Sequence, residues 1–456
     1  MLNRRGFLTG AIGLAAAPIA TVSAGAVSGI ETASMRGSID SSEFGIFPSA
    51  LDDQSRTFMR MLERAAETDM PVFLPPGTYL VSNLTLPRRV RLTGVAGATR
   101  IVYGGDGHLF AAEDADLIEL TSIVFDGANR WIDDKAQGIL DFRRVRELSI
   151  DRCQVIGSGK YGIALERVSG RIERSTISGA AEAGIYSVEA GRMSISANTV
   201  TDCANGGILV HRWQVADDQT MVTNNRVERI LARNGGTGQF GNGINIFRAG
   251  NVMVSGNSVS DCAFSAVRAN SASNIQITGN TCQRSGETAI YSEFAYEGAV
   301  ISGNIVDGAA NGISMVNFNE GGRIAVCSGN IVRNLSTEGP YTADPPGFGV
   351  GMTAEADCAV SGNVVENAPR YGLHIGWGPF MRNVVATGNV IRQAPVGIAV
   401  SVVEGVGSAV ISDNVFEGAS SGAIVGYEWT KAVTGDLATE GADGYPRLAV
   451  DRNRVS

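Results

Sequence analysis

Arg268, Tyr291, Glu293 and Ser314, together with His211, Asn245 and Asn270, bring a cation, a phenol, a carboxylate, a hydroxyl, an imidazole and two amides to corresponding positions of a repeated segment. Two kinds of chemistry are open to such a set. In a β-elimination, Arg268 would pair with a uronate carboxylate and acidify the adjacent C–H, while Tyr291 or His211 transfers the proton. In a hydrolysis, Glu293 would pair with Glu320 or Asp344, since glycosidic cleavage uses two carboxylates roughly 5 to 10 Å apart. The residues do not choose between these. A non-catalytic carbohydrate-binding or cell-surface protein would need the aromatics and hydrogen-bond donors but no acid–base pair.

The repeat that must position these groups is marked by asparagine. Asn198, Asn225, Asn257, Asn280, Asn304, Asn330, Asn363, Asn389, Asn414 and Asn453 recur with the shorter steps near two dozen residues, the period of a solenoid. Around each Asn, apolar and polar residues alternate, as in NVMVSGNSVSDC and NIQITGNTCQRS, which predicts half-buried strands. The Asn is expected at a tight turn between strands, because it tolerates the left-handed conformation, with its amide stacked in a ladder.

A second signal follows each Asn: Gly-Ile-x-aliphatic or a near variant, as in GINI from Gly243 and GISM from Gly312. In a strand the Ile and the aliphatic residue face the core, so the x and the residue after the aliphatic face out. Down the chain these outward columns hold Glu166, Tyr186, His211, Asn245, Phe247, Arg268, Asn270, Tyr291, Glu293, Ser314, then Gly351 with Thr353, and His374. The reactive part spans about 19 Å at ordinary strand spacing. Two long insertions, residues 231–242 and 335–349, precede strands of this set, and their Phe240, Tyr341 and Phe348 are expected to wall the ends of a trough floored by Arg268, Tyr291, Glu293 and Ser314. The segments HRWQVADDQ, FAYEG and NFNEGGR, the last containing Glu320, would line its other side. Arg268, Tyr291, Glu293 and His211 are the candidate catalytic groups. Asn245, Asn270, Ser314, Phe240, Tyr341 and Glu320 are the candidate substrate-binding groups.

The opening VFLPPGTYLVSNLTLPRRVRLTG, Val72 to Gly94, after an amphipathic helix candidate from about Leu51 to Thr68, resembles the start of pectate-lyase-like right-handed β-helix proteins, and the later coils are similar to the generic parallel β-helix repeat. The resemblance covers nearly all of the mature chain and extends to a family of twin-arginine-exported repeat proteins. It implies an all-β, single-stranded right-handed parallel β-helix with an N-terminal capping helix, and a groove on the Gly-Ile strands. It does not fix a reaction, since one fold hosts lyases, hydrolases, epimerases and binding proteins. The Asn-Thr-Asp and Gly-His-Gly motifs of polygalacturonase-like hydrolases, the acidic calcium cluster of pectate lyases and the Asp-Pro-His-Asp of alginate epimerases are all absent from the sequence.

The N-terminus reads Asn3-Arg4-Arg5-Gly6-Phe7-Leu8, then a mildly apolar run and small residues near Ala24 and Ala26. This is similar to a twin-arginine export signal over residues 1–26, followed by an N-terminal segment and capping helix over 27–70 and the repeat domain over 71–456. A periplasmic or secreted protein is expected, meeting the membrane only transiently during export. A net charge of −9 argues against a nucleic-acid partner and leaves a polysaccharide or oligosaccharide as the expected one. The six cysteines occupy columns otherwise held by aliphatics. Cys203 and Cys262 alone share a column, about 9.6 Å apart, which predicts six buried thiols rather than disulfides or a metal site. No cofactor is expected.

Overall fold

The structure, a computed structural model, describes residues 37–50 and 52–456, of which Ile39–Ser456 form one compact unit. The expected export signal lies outside the described residues, as does Leu51 at the start of the helix candidate. The alternation seen in the sequence becomes strands: Ile275–Thr278 runs buried, exposed, buried, half-buried. Its neighbours continue in register, Ile277 beside Ile301, Ile301 beside Cys327 and Cys327 beside Val360, so each coil extends a core column of the last. Three strands make a coil. One joins a 16-stranded parallel sheet and the other two join a 28-stranded sheet, the arrangement of a parallel β-helix.

The asparagine ladder is unbroken. Asn304 donates from Nδ2 to Asn330 Oδ1 at 3.0 Å and to the Ile277 carbonyl at 2.9 Å, and it accepts at Oδ1 from the Asn280 backbone N–H at 2.9 Å. The same link runs from Asn198 through to Asn453. The turn chemistry differs from expectation. The left-handed residue is the one before the Asn, a glycine in six coils, as at Gly303 with φ 65°, and Ala197, Asn224, Asp413 or Arg452 in the other four, so the ladder position itself is selected for its amide.

At the N-terminal end the helix is Ser55–Thr68, with Phe58, Met61, Leu62 and Ala65 buried on one face at i, i+3, i+4 and i+7. Phe58 meets Phe110 edge-on at 6.3 Å and Phe110 meets Phe125 at 5.3 Å, which carries the core from helix into coils. Near the other end, Gly422–Glu428 turns back as an antiparallel hairpin with Lys431–Asp436. The basic runs that decorate the coil edges are paired with acids, Arg89 with Asp69 at 3.1 Å and Arg144 with Asp114 at 2.7 Å. All six cysteines are free and buried. No helix among the described residues is long and apolar enough to cross a membrane.

Candidate functional site

The outward column is continuous. Asn245 stands beside Arg268, Arg268 beside Tyr291, Tyr291 beside Ser314, Ser314 beside Thr353, and Thr353 beside His374. Its partner column runs His211, Phe247, Asn270, Glu293. The strands bearing them stack closely because of their leading glycines. A Cβ on Gly312 would come within 2.2 Å of the Gly351 carbonyl oxygen and 2.4 Å of Val332 Cγ1. The expected register slips at one coil: Gly351-Met352-Thr353-Ala354 aligns with Gly312-Ile313-Ser314-Met315, which makes Thr353 and Glu355 the outward pair in place of Gly351 and Thr353. Reading Met352 as the Ile of the motif would have found Glu355.

Arg268, Tyr291, Glu293 and Asn270 do converge, as a closed cluster rather than a trough floor. Arg268 donates from Nε to Glu293 Oε1 at 2.6 Å and from Nη2 to Oε2 at 2.9 Å, while Nη1 reaches Glu287 Oε2 at 3.2 Å. Asn270 Nδ2 donates to Glu293 Oε1 at 2.8 Å. The Tyr291 ring lies 5.1 Å from the guanidinium carbon. Glu287, Glu293 and Arg268 are 1%, 2% and 9% exposed. The expectation that these side chains face solvent is therefore corrected. The insertions lie over the strands instead of beside them. Gly238 packs against Arg268 so tightly that a Cβ there would fall 1.6 Å from Nη1. Tyr341 reaches down to donate its hydroxyl hydrogen to Glu287 Oε1 at 2.5 Å, stacked at 6.1 Å on Phe264.

Electrostatics follow from that burial. Desolvation raises the Glu287 carboxyl pKa, with Arg268, Tyr341 and Ser265 partly offsetting it. Desolvation opposes the charge on Arg268 most strongly, but Glu293 and Glu287 together outweigh it and hold the guanidinium above its ordinary value. Burial pushes the Tyr291 phenol up, which keeps it a proton donor at neutral pH. Glu287 was missed in the sequence because a register shift between Ser285 and Thr288 breaks the period-two pattern around it.

Two cavities open on this face. The upstream one, of about 380 Å³, holds His211, Asn245, Phe247 and Phe294, with the edges of Arg268 and Asn270. The downstream one, of about 290 Å³, holds Tyr291, Ser314, Thr353, Glu355, His374 and Trp377 beneath the loop residues Asp344 to Phe348. Glu355 is 8% exposed, and its Oε2 accepts from the Phe318 backbone N–H at 2.7 Å. Burial pushes its pKa up to about 7 against the pull of the Phe318 and Asn317 N–H groups. Burial lowers His211 and His374 to about 4, so both imidazoles are neutral at physiological pH. Trp377 packs edge-on against Trp429 at 5.3 Å.

The other sequence candidates stand apart. Glu320 is exposed in the short 3-10 turn Phe318–Glu320 and lines neither cavity, and half-exposed Phe240 lines neither as well. His211 lies three coil steps from Tyr291, about 14 Å, too far to share a proton with it. Among the described residues no group of three or more His, Cys, Asp or Glu could hold a metal ion.

The model of a right-handed beta helix region matches residues 137–213 and 213–391. No curated protein matches the chain in sequence. Among solved structures it is similar to the pre-mature gene product 12 of bacteriophage phi29, at 15% identity and a TM-score of 0.55, covering 90% of this chain and 59% of that one. The A-module of a mannuronan C-5 epimerase of Azotobacter vinelandii superposes at a TM-score of 0.48 and 15% identity, over 91% of this chain and 99% of the other. The catalytic unit of an α-1,3-glucanase of Streptomyces thermodiastaticus does so at 0.47 and 16%, over 92% and 69%. At these identities the likeness is one of fold, and the phage protein carries it. With the family model spanning more than half of its length, the chain belongs to the right-handed β-helix family.

Proposed function

We propose that the protein holds a glycan chain across its Gly-Ile face and hydrolyses it in the downstream cavity, with Glu355 as the proton donor to the glycosidic oxygen. The observation that carries this reading is a single carboxyl. Glu355 is held at about 7 by burial, in a cavity it shares with the loop carboxylate of Asp344 and the ring of Trp377. A carboxylic acid that keeps its proton near neutrality can protonate a leaving group, and a second carboxylate can activate or replace water on the opposite face. Trp377 and Tyr291 offer the flat apolar surfaces on which sugar rings rest.

Arg268, which the elimination scheme assigned to a uronate, already has its charge spent on Glu293 and Glu287. The reading therefore favours a neutral glycan over an acidic one. Delivery to the periplasm or beyond through the twin-arginine signature at Arg4 and Arg5 completes the proposal.

A second reading, glycan binding without catalysis, draws on the backbone N–H groups of Phe318 and Asn317 that Glu355 accepts, as a structural carboxylate would. Purified protein and its Glu355→Gln and Asp344→Asn variants would be incubated with neutral and acidic glycans, reading reducing ends and the absorbance of unsaturated products. Hydrolysis lost in both variants supports the first reading. Binding without product supports the second, and unsaturated product overturns the hydrolytic assignment.

A further inference from the structure

We infer that the upstream cavity is a separate subsite for a neutral sugar unit, its Asn245 four coil steps and its His211 five from the strand of Glu355, which makes the protein a binder of long rather than short chains. This rests on the glycan reading above and adds where, and with what chemistry, the far end of the chain is held. Asn245 is 6% exposed, yet its Oδ1 is sealed from solvent with no hydrogen-bond partner, and the same holds for Nε2 of the neighbouring His211. If the amide is turned over, its nitrogen takes the same unpartnered place. Two orphaned polar atoms on adjacent strands, carried by residues that line one cavity, are each costly to keep, and a small rotation of each side chain toward the cavity would let a ligand hydroxyl pair it.

The remaining lining sets the chemistry. His211 stays neutral at physiological pH, because burial holds it near 4. Arg268 is paired with both Glu293 and Glu287, and Asn270 donates to Glu293. No uncommitted charge is left among the lining residues to select an anion, while Phe294, 40% exposed, and Phe247, with the Arg248 guanidinium stacked 4.7 Å over its ring, add aromatic surface to the lining. Neutral hydrogen-bonding groups beside aromatic faces fit a polyhydroxylated ring with one apolar side. The volume, about 380 Å³, falls in the range of small-ligand sites. Four steps from Asn245 and five from His211 at ordinary strand spacing put this subsite about 19 to 24 Å from Glu355 along the face.

The three histidines give each cavity its own reporter, since His211 lines the upstream cavity, His374 the downstream one and His108 a third near the N-terminal end. Full-length protein carrying Glu355→Gln, which by the reading above binds without cleaving, and with labelled histidine, would be titrated with neutral gluco-, manno- and xylo-oligosaccharides of two and six units while the three imidazole signals are followed by NMR. The six-unit sugar should shift both His211 and His374 saturably, with affinity at least tenfold above that of the two-unit sugar. Asn245→Ala should abolish the His211 shift and leave that of His374, and Phe294→Ala, altering an exposed ring, should weaken it without affecting folding. A response of His374 with His211 silent, or a His211 shift that survives Asn245→Ala, overturns the subsite alone. Silence of both across the panel overturns the glycan reading with it.

Discussion

Arg268 and Glu293 sit on adjacent strands of one outward face, joined by two parallel hydrogen bonds of 2.6 and 2.9 Å, and both are nearly sealed from water. A bidentate pair of this kind fixes geometry more than it adds stability, because desolvating both ions offsets most of their attraction. Its value lies in what breaking it would cost.

Replacing Arg268 with Ala leaves Glu293 and Glu287 buried without their cation. We expect a loss of about 3 to 5 kcal/mol in urea unfolding. Glu166→Ala, on the same face but half-exposed, should change stability by less than about 0.5 kcal/mol. Equal, small effects of the two would show that the cluster is wetter than its burial indicates.

The ladder makes a second prediction. Asn304→Ala removes the bonds to Asn330 and Ile277 and strands the Asn280 N–H, which should cost about 1 to 3 kcal/mol. Asn453→Ala, at the partly exposed end, breaks the two bonds its Oδ1 accepts from Asn414 and the one it donates to Ile411 where water can replace them, and should cost less. Denaturation midpoints of the two variants compare them directly.

These contrasts also separate what was legible in the sequence from what was not. The ladder, the columns and the inward cysteines follow from period two and a fixed repeat, which are local rules. The converging of Arg268, Tyr291 and Glu293 followed from the same counting. Their closure did not, because it depends on how the loops around Gly238 and Tyr341 fold back, and loop paths are set by tertiary contacts such as Tyr341 to Glu287. Glu355 was hidden by a two-residue register slip after the longer insertion, where Met352 stands for the usual Ile.

The thiols give a third test. Cys203 and Cys282 are each pushed up to about 12 by burial, so neither presents a thiolate at neutral pH. Native protein should react negligibly with a thiol reagent, and unfolded protein should titrate six thiols. Fewer than six after unfolding would mean that a pair had been oxidised, contrary to the column assignment.

The downstream cavity predicts a stability profile with two opposed limbs. Glu355 has its carboxyl raised from 4.5 to about 7, so the folded state binds its proton more tightly than the unfolded chain does. That contribution is fully present below about 4.5 and is lost as pH rises through 7, on the order of 3 kcal/mol in all. His374 runs the other way. Burial lowers it from 6.5 to about 4, so its contribution is present above 6.5 and is lost as pH falls through 4. Between about 4.5 and 6.5 the two limbs overlap and oppose each other, and His211 adds to the second, so each is read as a difference between wild type and variant. The stability advantage of wild type over Glu355→Gln should shrink as pH rises from about 4.5 to 7, and its advantage over His374→Gln should shrink as pH falls from about 6.5 to 4. Unfolding midpoints measured across pH 4 to 8 check both, and a difference between wild type and Glu355→Gln that stays level from pH 4.5 to 7 would mean that Glu355 is ionised throughout, removing the acid on which the proposed hydrolysis depends.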